Sequence, residues 1–279
     1  MPFLDHTDIE LIHPGTLRAR GHIRQALFDF DGTLSLIREG WQGVMIPMMI
    51  EILLQTPRHE SASELRCLVM EFVERLTGEQ TIYQMIQLAE EVARRGGQPA
   101  DPLEYKRQYH DRLWARIEGR VTALKSGQIS PAEMLVPGSR EFLEALRARG
   151  VTCALASGTD EPYVRDEAAA LGIADYFAGI YGARDDYRRA TKKIVIEQIM
   201  RDRGLSGPEF VVFGDGYVEI ENAKSAGGLA VGVASNEAER RGVNGWKRER
   251  LIRAGADVIV PDFRQHQELT AYLFVEDPL

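Results

Sequence analysis

The stretch Ala26-Leu27-Phe28-Asp29-Phe30-Asp31-Gly32-Thr33 runs from apolar to acidic and closes on a Gly-Thr turn. A short apolar run bounded by turn residues reads as a buried strand. Two later runs end the same way. Cys153-Ala154-Leu155-Ala156 leads into Ser157-Gly158-Thr159, and Val211-Val212-Phe213 leads into Gly214-Asp215-Gly216. Further strand signals lie at Phe177 to Tyr181, Leu229 to Ala234 and Val258 to Val260. Amphipathic stretches separate them. REFLEALRARG ends at Gly150, Tyr163 to Leu171 is closed by Gly172, Thr191 to Met200 follows, then Glu219 to Ala226. Strands alternating with helices predict right-handed crossovers and a doubly wound α/β fold with a parallel sheet.

Between the first strand and the second the pattern changes. MIPMMIEILLQ, ASELRCLVMEFVERL, TIYQMIQLAEEVARRGG and LEYKRQYHDRLWARIEGRVTAL all carry apolar residues at helical spacing. The expected organisation is therefore an α/β core made of residues 1–36 and 135–279, interrupted by a mostly helical domain over 37–134. In such sheets ligands bind beyond the carboxyl ends of the strands. The polar groups that end the apolar runs should then meet at one edge.

Together those groups suit phosphoryl transfer. Asp29 and Asp31, two apart, face one side of a regular strand, and Asp215 adds a third carboxylate. Clustered carboxylates repel unless a cation or a proton neutralises them. Hard oxygen donors that leave room for water and phosphate suit Mg²⁺. The Ser157 hydroxyl and the Gly158 N–H are fitted to phosphate oxygens. Lys192, at a helix start, supplies positive charge. Lys193 is the alternative, and the spacing to Val195-Ile196 favours Lys192. A carboxylate nucleophile would pass through an aspartyl-phosphate, with a second aspartate as acid and base.

The set DFDGT, LASGT, TKKIVI and GDGYVE, in that order, resembles the four motifs of the haloacid dehalogenase-like hydrolase superfamily. AKSAGGLAVGVAS resembles the region that follows the fourth motif. The resemblance implies a Rossmann-like core. It gives Asp29 the roles of nucleophile and metal ligand. Asp31 becomes the general acid/base and gives its backbone carbonyl to the metal. Ser157 and Gly158 bind the phosphate, Lys192 steadies nucleophile and phosphoryl group, and Asp215 binds metal. Glu219 stands where an Asp is more usual, reaching the metal directly or through water. The helical insertion looks like the mobile cap of phosphoglycolate phosphatase-like and β-phosphoglucomutase-like members, which closes over substrate and excludes water.

The function expected is a Mg²⁺-dependent phosphatase of a small phosphorylated metabolite, such as a sugar phosphate. A phosphomutase and a non-catalytic phosphometabolite sensor are the alternatives. Dehalogenation needs no second aspartate, and Asp31 is present.

Bulk properties agree. The 279 residues are 44% hydrophobic and 27% charged, ordinary for a globular protein, and the net charge of -8 argues against a nucleic-acid partner. No apolar run is long enough for a membrane span, and the first residues lack a signal-peptide pattern. Cys67 and Cys153 have no metal-like spacing, and Cys153 lies in an apolar run. A cytoplasmic setting is expected. Other features carry bland readings. Thr77-Gly78-Glu79-Gln80 fits either a substrate-reading loop or a helix capping box. Arg38, Glu39 and Trp41 fit a cap hinge, near the site or, by default, solvated; Arg184, Arg188 and Arg189 fit a solvated face, with reach to an anionic substrate as the alternative. The six histidines show no metal spacing.

Overall fold

All four residues of Gln25–Phe28 are buried, as a strand covered on both faces requires. Alternate side chains feed opposite layers. Ala26 and Phe28 join one apolar core, and Leu27 joins the other. The computed structural model describes residues 3–13, 20–187 and 191–275. Its sheet has seven strands: β1 (Glu10–Leu11), β2 (Gln25–Phe28), β3 (Thr152–Asp160), β4 (Phe177–Ala183), β5 (Phe210–Gly214), β6 (Leu229–Val233) and β7 (Val258–Val260). Their order is β1-β7-β6-β5-β2-β3-β4. All pairings are parallel except that of β1 with β7. The two-residue edge strand β1 carries too little pattern to be read from sequence.

Four helices follow β2 before the chain returns to β3: α1 (Gln42–Leu53), α2 (Ala62–Leu76), α3 (Thr81–Arg94) and α4 (Pro102–Lys125). In α4, Tyr105, Tyr109, Leu113, Ile117, Val121 and Leu124 form one buried stripe. Asp101 accepts from the Leu103 N–H and Pro102 occupies the first turn, so the entry to α4 is set locally. The capping box in this region belongs to Ser61 and Glu64 at the start of α2. Thr77 does not cap α3 as its spacing to Gln80 suggested. It ends α2, and its hydroxyl donates to the Val73 carbonyl at 2.8 Å. Gln80 precedes α3 with no side-chain cap. The turn between α2 and α3 is committed to meeting the core.

The remaining helices are α5 (Ser139–Ala148), α6 (Glu161–Ala170), α7 (Lys192–Arg203), α8 (Tyr217–Ser225), α9 (Gly245–Arg253) and α10 (His266–Phe274). Beneath one sheet face four aromatic rings interlock. Phe28 stacks on Phe213 at 4.6 Å, Phe142 stacks on Phe263 at 4.9 Å, and the two pairs meet edge-on. This cluster anchors β2 and β5, the strands between which the connection order reverses. Among the described residues no helix is long and apolar enough to cross a membrane.

Candidate active site

The register of the central strands brings the chemistry together. Phe28 lies opposite Leu155 on β3 and Phe213 on β5. Asp29 and Asp215 therefore leave their strands at the edge where Ser157 lies on β3. The Asp29 N–H still bonds the Phe213 carbonyl at 2.9 Å. Beyond it the chain turns at Gly32, whose φ of +77° suits a residue without Cβ. Side chains from this edge and from the helical insertion enclose a cavity of about 110 Å³.

Asp29 is buried. Its Oδ1 accepts from Lys192 Nζ at 2.6 Å, and its Oδ2 faces the Thr33 hydroxyl at 3.4 Å. Burial pushes this carboxyl up to about 7, Lys192 opposes the rise, and the neighbouring Asp215 and Asp31 charges add to it. Lys192 is the first residue of α7, capped by Thr191. Lys193 lies on the exposed side and faces Glu197 at 3.9 Å.

Asp31 meets different partners. Thr159 Oγ1 donates to its Oδ2 at 2.8 Å, and Ser157 Oγ approaches the same oxygen at 3.3 Å. Both hydroxyls point one way because they are two residues apart on β3, where the pairing with β4 loses register. Arg38 lies 3.8 Å away. Burial raises the Asp31 carboxyl to about 6 against the pull of Arg38 and the Thr159 hydrogen bond.

Arg38 is no solvated hinge residue. It is buried and grips Glu167 of α6 through Nε and Nη2 at 2.6–3.2 Å. Glu39 is held too, by Arg120 of α4 at 3.1 Å, and Trp41 lines the cavity. These contacts join residues more than 80 positions apart, which local patterning does not reveal. Arg184 is exposed and pairs with Glu161; Arg188 and Arg189 lie outside the described residues.

Glu219 is buried on α8. Its carboxylate pairs with Lys192, and its side chain is 1% exposed. Its Oε2 and Asp31 Oδ1 are buried without a hydrogen-bond partner among the described residues. Asp215 is held from a direction no motif announced. Its Oδ2 accepts from Lys247 of α9 at 2.7 Å. Lys247 also bonds Glu237 at 2.7 Å and Ser235 Oγ at 3.0 Å. Ser235 donates to the Gly32 carbonyl at 2.5 Å. The sheet-edge rule, applied to the run Leu229 to Ala234, would have flagged Ser235 and Glu237. Nothing in spacing points to Lys247.

The oxygen-rich lining suits a hard divalent cation: the carboxylates of Asp29 and Asp215 line the cavity, and Asp31 Oδ1 is buried without a hydrogen-bond partner among the described residues. Among the described residues no three Asp, Glu, His or Cys side chains form a metal-holding group.

Comparison with known proteins adds kinship. A family model described as haloacid dehalogenase-like hydrolase matches residues 23–227. A phosphoglycolate phosphatase of Vibrio vulnificus is 30% identical over 99 residues, 36% of this chain and 43% of that protein. The chain thus matches under half the length of that curated relative. Among solved structures, a predicted phosphoglycolate phosphatase from Haemophilus somnus superposes with a TM-score of 0.59 at 20% identity, covering 89% of this chain and 98% of that one. A β-phosphoglucomutase from Clostridium difficile gives 0.55 at 13% identity, covering 83% and 98%. At such identities the structures show a shared fold, and the family match spans most of the chain. The chain belongs to the haloacid dehalogenase-like hydrolase family.

Proposed function

We propose that this protein is a Mg²⁺-dependent phosphatase that hydrolyses a small phosphorylated metabolite through an aspartyl-phosphate on Asp29. The observation that carries this reading is the division of labour between two neighbouring carboxylates. Asp29 lies against the Lys192 ammonium, and Asp31 lies among hydroxyls and near Arg38. A nucleophile must be anionic, a state that the Lys192 ammonium favours at Asp29 against its burial and that a bound cation would favour further, whereas an acid/base must hold and release a proton near neutrality.

In this mechanism an Asp29 oxygen attacks phosphorus as the bond to the leaving oxygen breaks. Asp31 gives its proton to that oxygen. Asp31 then takes a proton from water, water oxygen bonds to phosphorus, and the bond to Asp29 breaks. Lys192, Ser157 and the Gly158 N–H surround the phosphoryl oxygens. Asp29, Asp215 and the Asp31 carbonyl would hold the Mg²⁺, which supplies charge neutralisation for the phosphoryl group. Glu219 orients Lys192 rather than reaching the ion.

Residues 37–134 act as a cap. Trp41, Met45, Gln84 and Tyr109 give the leaving group a small, partly apolar chamber. The related phosphoglycolate phosphatase of Vibrio vulnificus supports a small phosphomonoester as substrate. Two free thiols suit a cytoplasmic setting.

A panel of phosphomonoesters, assayed with Mg²⁺ for released phosphate, tests the reading. Release that a chelator abolishes is the expected result. Isomer interconversion without release would replace it with a mutase, and inactivity across the panel would favour a sensor.

A further inference from the structure

An ammonium of the chain itself, on Lys247, lies 2.7 Å from Asp215 Oδ2. Lys247 is the third residue of α9, whose start is fixed by Asn244 accepting from the Lys247 N–H at 3.1 Å. Its side chain is 8% exposed. An ammonium has three donors. Here three oxygens receive them: Asp215 Oδ2, Glu237 Oε1 and Ser235 Oγ, at 2.7, 2.7 and 3.0 Å. The ammonium also presses on the turn after Asp31. A Cβ built on Gly32 would lie 2.9 Å from Lys247 Nζ and 2.3 Å from Asp215 Oδ2. Asp215 and Glu237 both line the catalytic cavity.

We propose that Lys247 is a built-in counter-cation that competes with the divalent ion for Asp215. In the metal-free protein it neutralises Asp215 and Glu237, which would otherwise face Asp29 and Asp31 as unscreened like charges. When the ion arrives, Lys247 yields Asp215 and stays on Glu237 and Ser235. Two cations on one carboxylate repel each other, so the resident ammonium weakens metal binding while holding the empty site together. This inference rests on the Mg²⁺ reading above. It separates competition from a plain structural tether, because a tether that orients Asp215 would strengthen metal binding.

The test titrates the full-length metal-free protein with Mn²⁺, read by the loss of the free-ion electron paramagnetic resonance signal. Lys247→Met removes the charge at similar length, and Lys247→Gln also keeps a donor for Glu237. Competition requires both variants to bind Mn²⁺ at least about tenfold more tightly than the parent. In chelator both should melt at lower temperature than the parent, and saturating Mn²⁺ should narrow that gap. Equal or weaker Mn²⁺ affinity in a folded variant overturns the proposal. A crystal structure of the unmutated protein with Mn²⁺ gives an answer that no folding defect can obscure. An ion on Asp215 with Lys247 withdrawn supports competition. An ion on Asp215 with Lys247 still at hydrogen-bond distance overturns competition alone. No ion at Asp215 overturns the cation reading itself, and this inference with it.

Discussion

Asp29 and Asp31 are chemically identical and two positions apart, and their surroundings alone set them apart. Replacing Asp29 by Asn keeps its shape but removes the proposed nucleophile. Turnover should fall by at least about a thousandfold with the circular dichroism spectrum unchanged. Retained activity would refute the assignment. Arg38 and Glu167 offer a second test at this scale. Their side chains are 8% and 1% exposed and share a two-pronged contact. Glu167→Ala leaves a buried guanidinium whose remaining carboxylate neighbour among the described residues is Asp31 at 3.8 Å, and should cost about 3–5 kcal/mol in urea unfolding. The loss reflects an unpaired buried charge more than the worth of the pair. Asp29, Asp31, Ser157 and Asp215 were legible because each ends an apolar run. Arg38 was not, because its partner lies 129 positions away.

The elements carry the site by burying aromatic side chains beneath it. Phe142 of α5 touches Phe28, Phe213 and Phe263. Phe142→Ala should destabilise by about 3–5 kcal/mol, measured by chemical denaturation. A smaller loss would mean that the cluster collapses around the gap. On β3, Cys153 is buried, and desolvation pushes its thiol up to about 12, whereas Cys67 on α2 is exposed. At pH 8 to 9 the native protein should take one alkyl group and the unfolded protein two, as mass spectrometry would show. The sign of the linked stability follows. The unfolded thiol ionises near its ordinary value while the folded one stays neutral. This group therefore lowers stability as pH rises past about 9. Helix periods and strand runs were readable, because covered faces leave a repeat in the sequence. The capping role given to Thr77 failed because Ser, Thr and Gln at cap spacing also occur where a turn packs against another part of the chain.

At the scale of the whole molecule, the turn between α2 and α3 meets the sheet edge backbone to backbone. A Cβ on Gly158 would stand 2.9 Å from the Glu79 carbonyl oxygen, and one on Gly216 would stand 3.0 Å from Gly78 Cα. Gly158→Ala should therefore hold the helical insertion away from the core and lower kcat/KM by about tenfold. Unchanged kinetics would show that the turn gives way easily. Metal removal belongs to the same scale. Mg²⁺ at about 100 times its Kd should stabilise the fold by about 2.7 kcal/mol, several degrees in Tm for a chain of this size. Calorimetry with and without chelator measures it, and coincident transitions would remove the proposed ion.

The sequence by itself determined the α/β class, the helical insertion and the identity of the residues at the strand ends. Those features are written in local periodicity and in the abrupt change from apolar to polar. Only the tertiary structure decided which charges face one another. Lys192 rather than Lys193 reaches Asp29, because helix phase buries one and exposes the other. Glu219 turns to Lys192, and Asp215 turns to Lys247. The stretch ending in Asp29-Phe30-Asp31 names the chemistry, and long-range packing sets the charges around it. Electrostatics acts through space, so its partners need leave no mark in spacing along the chain.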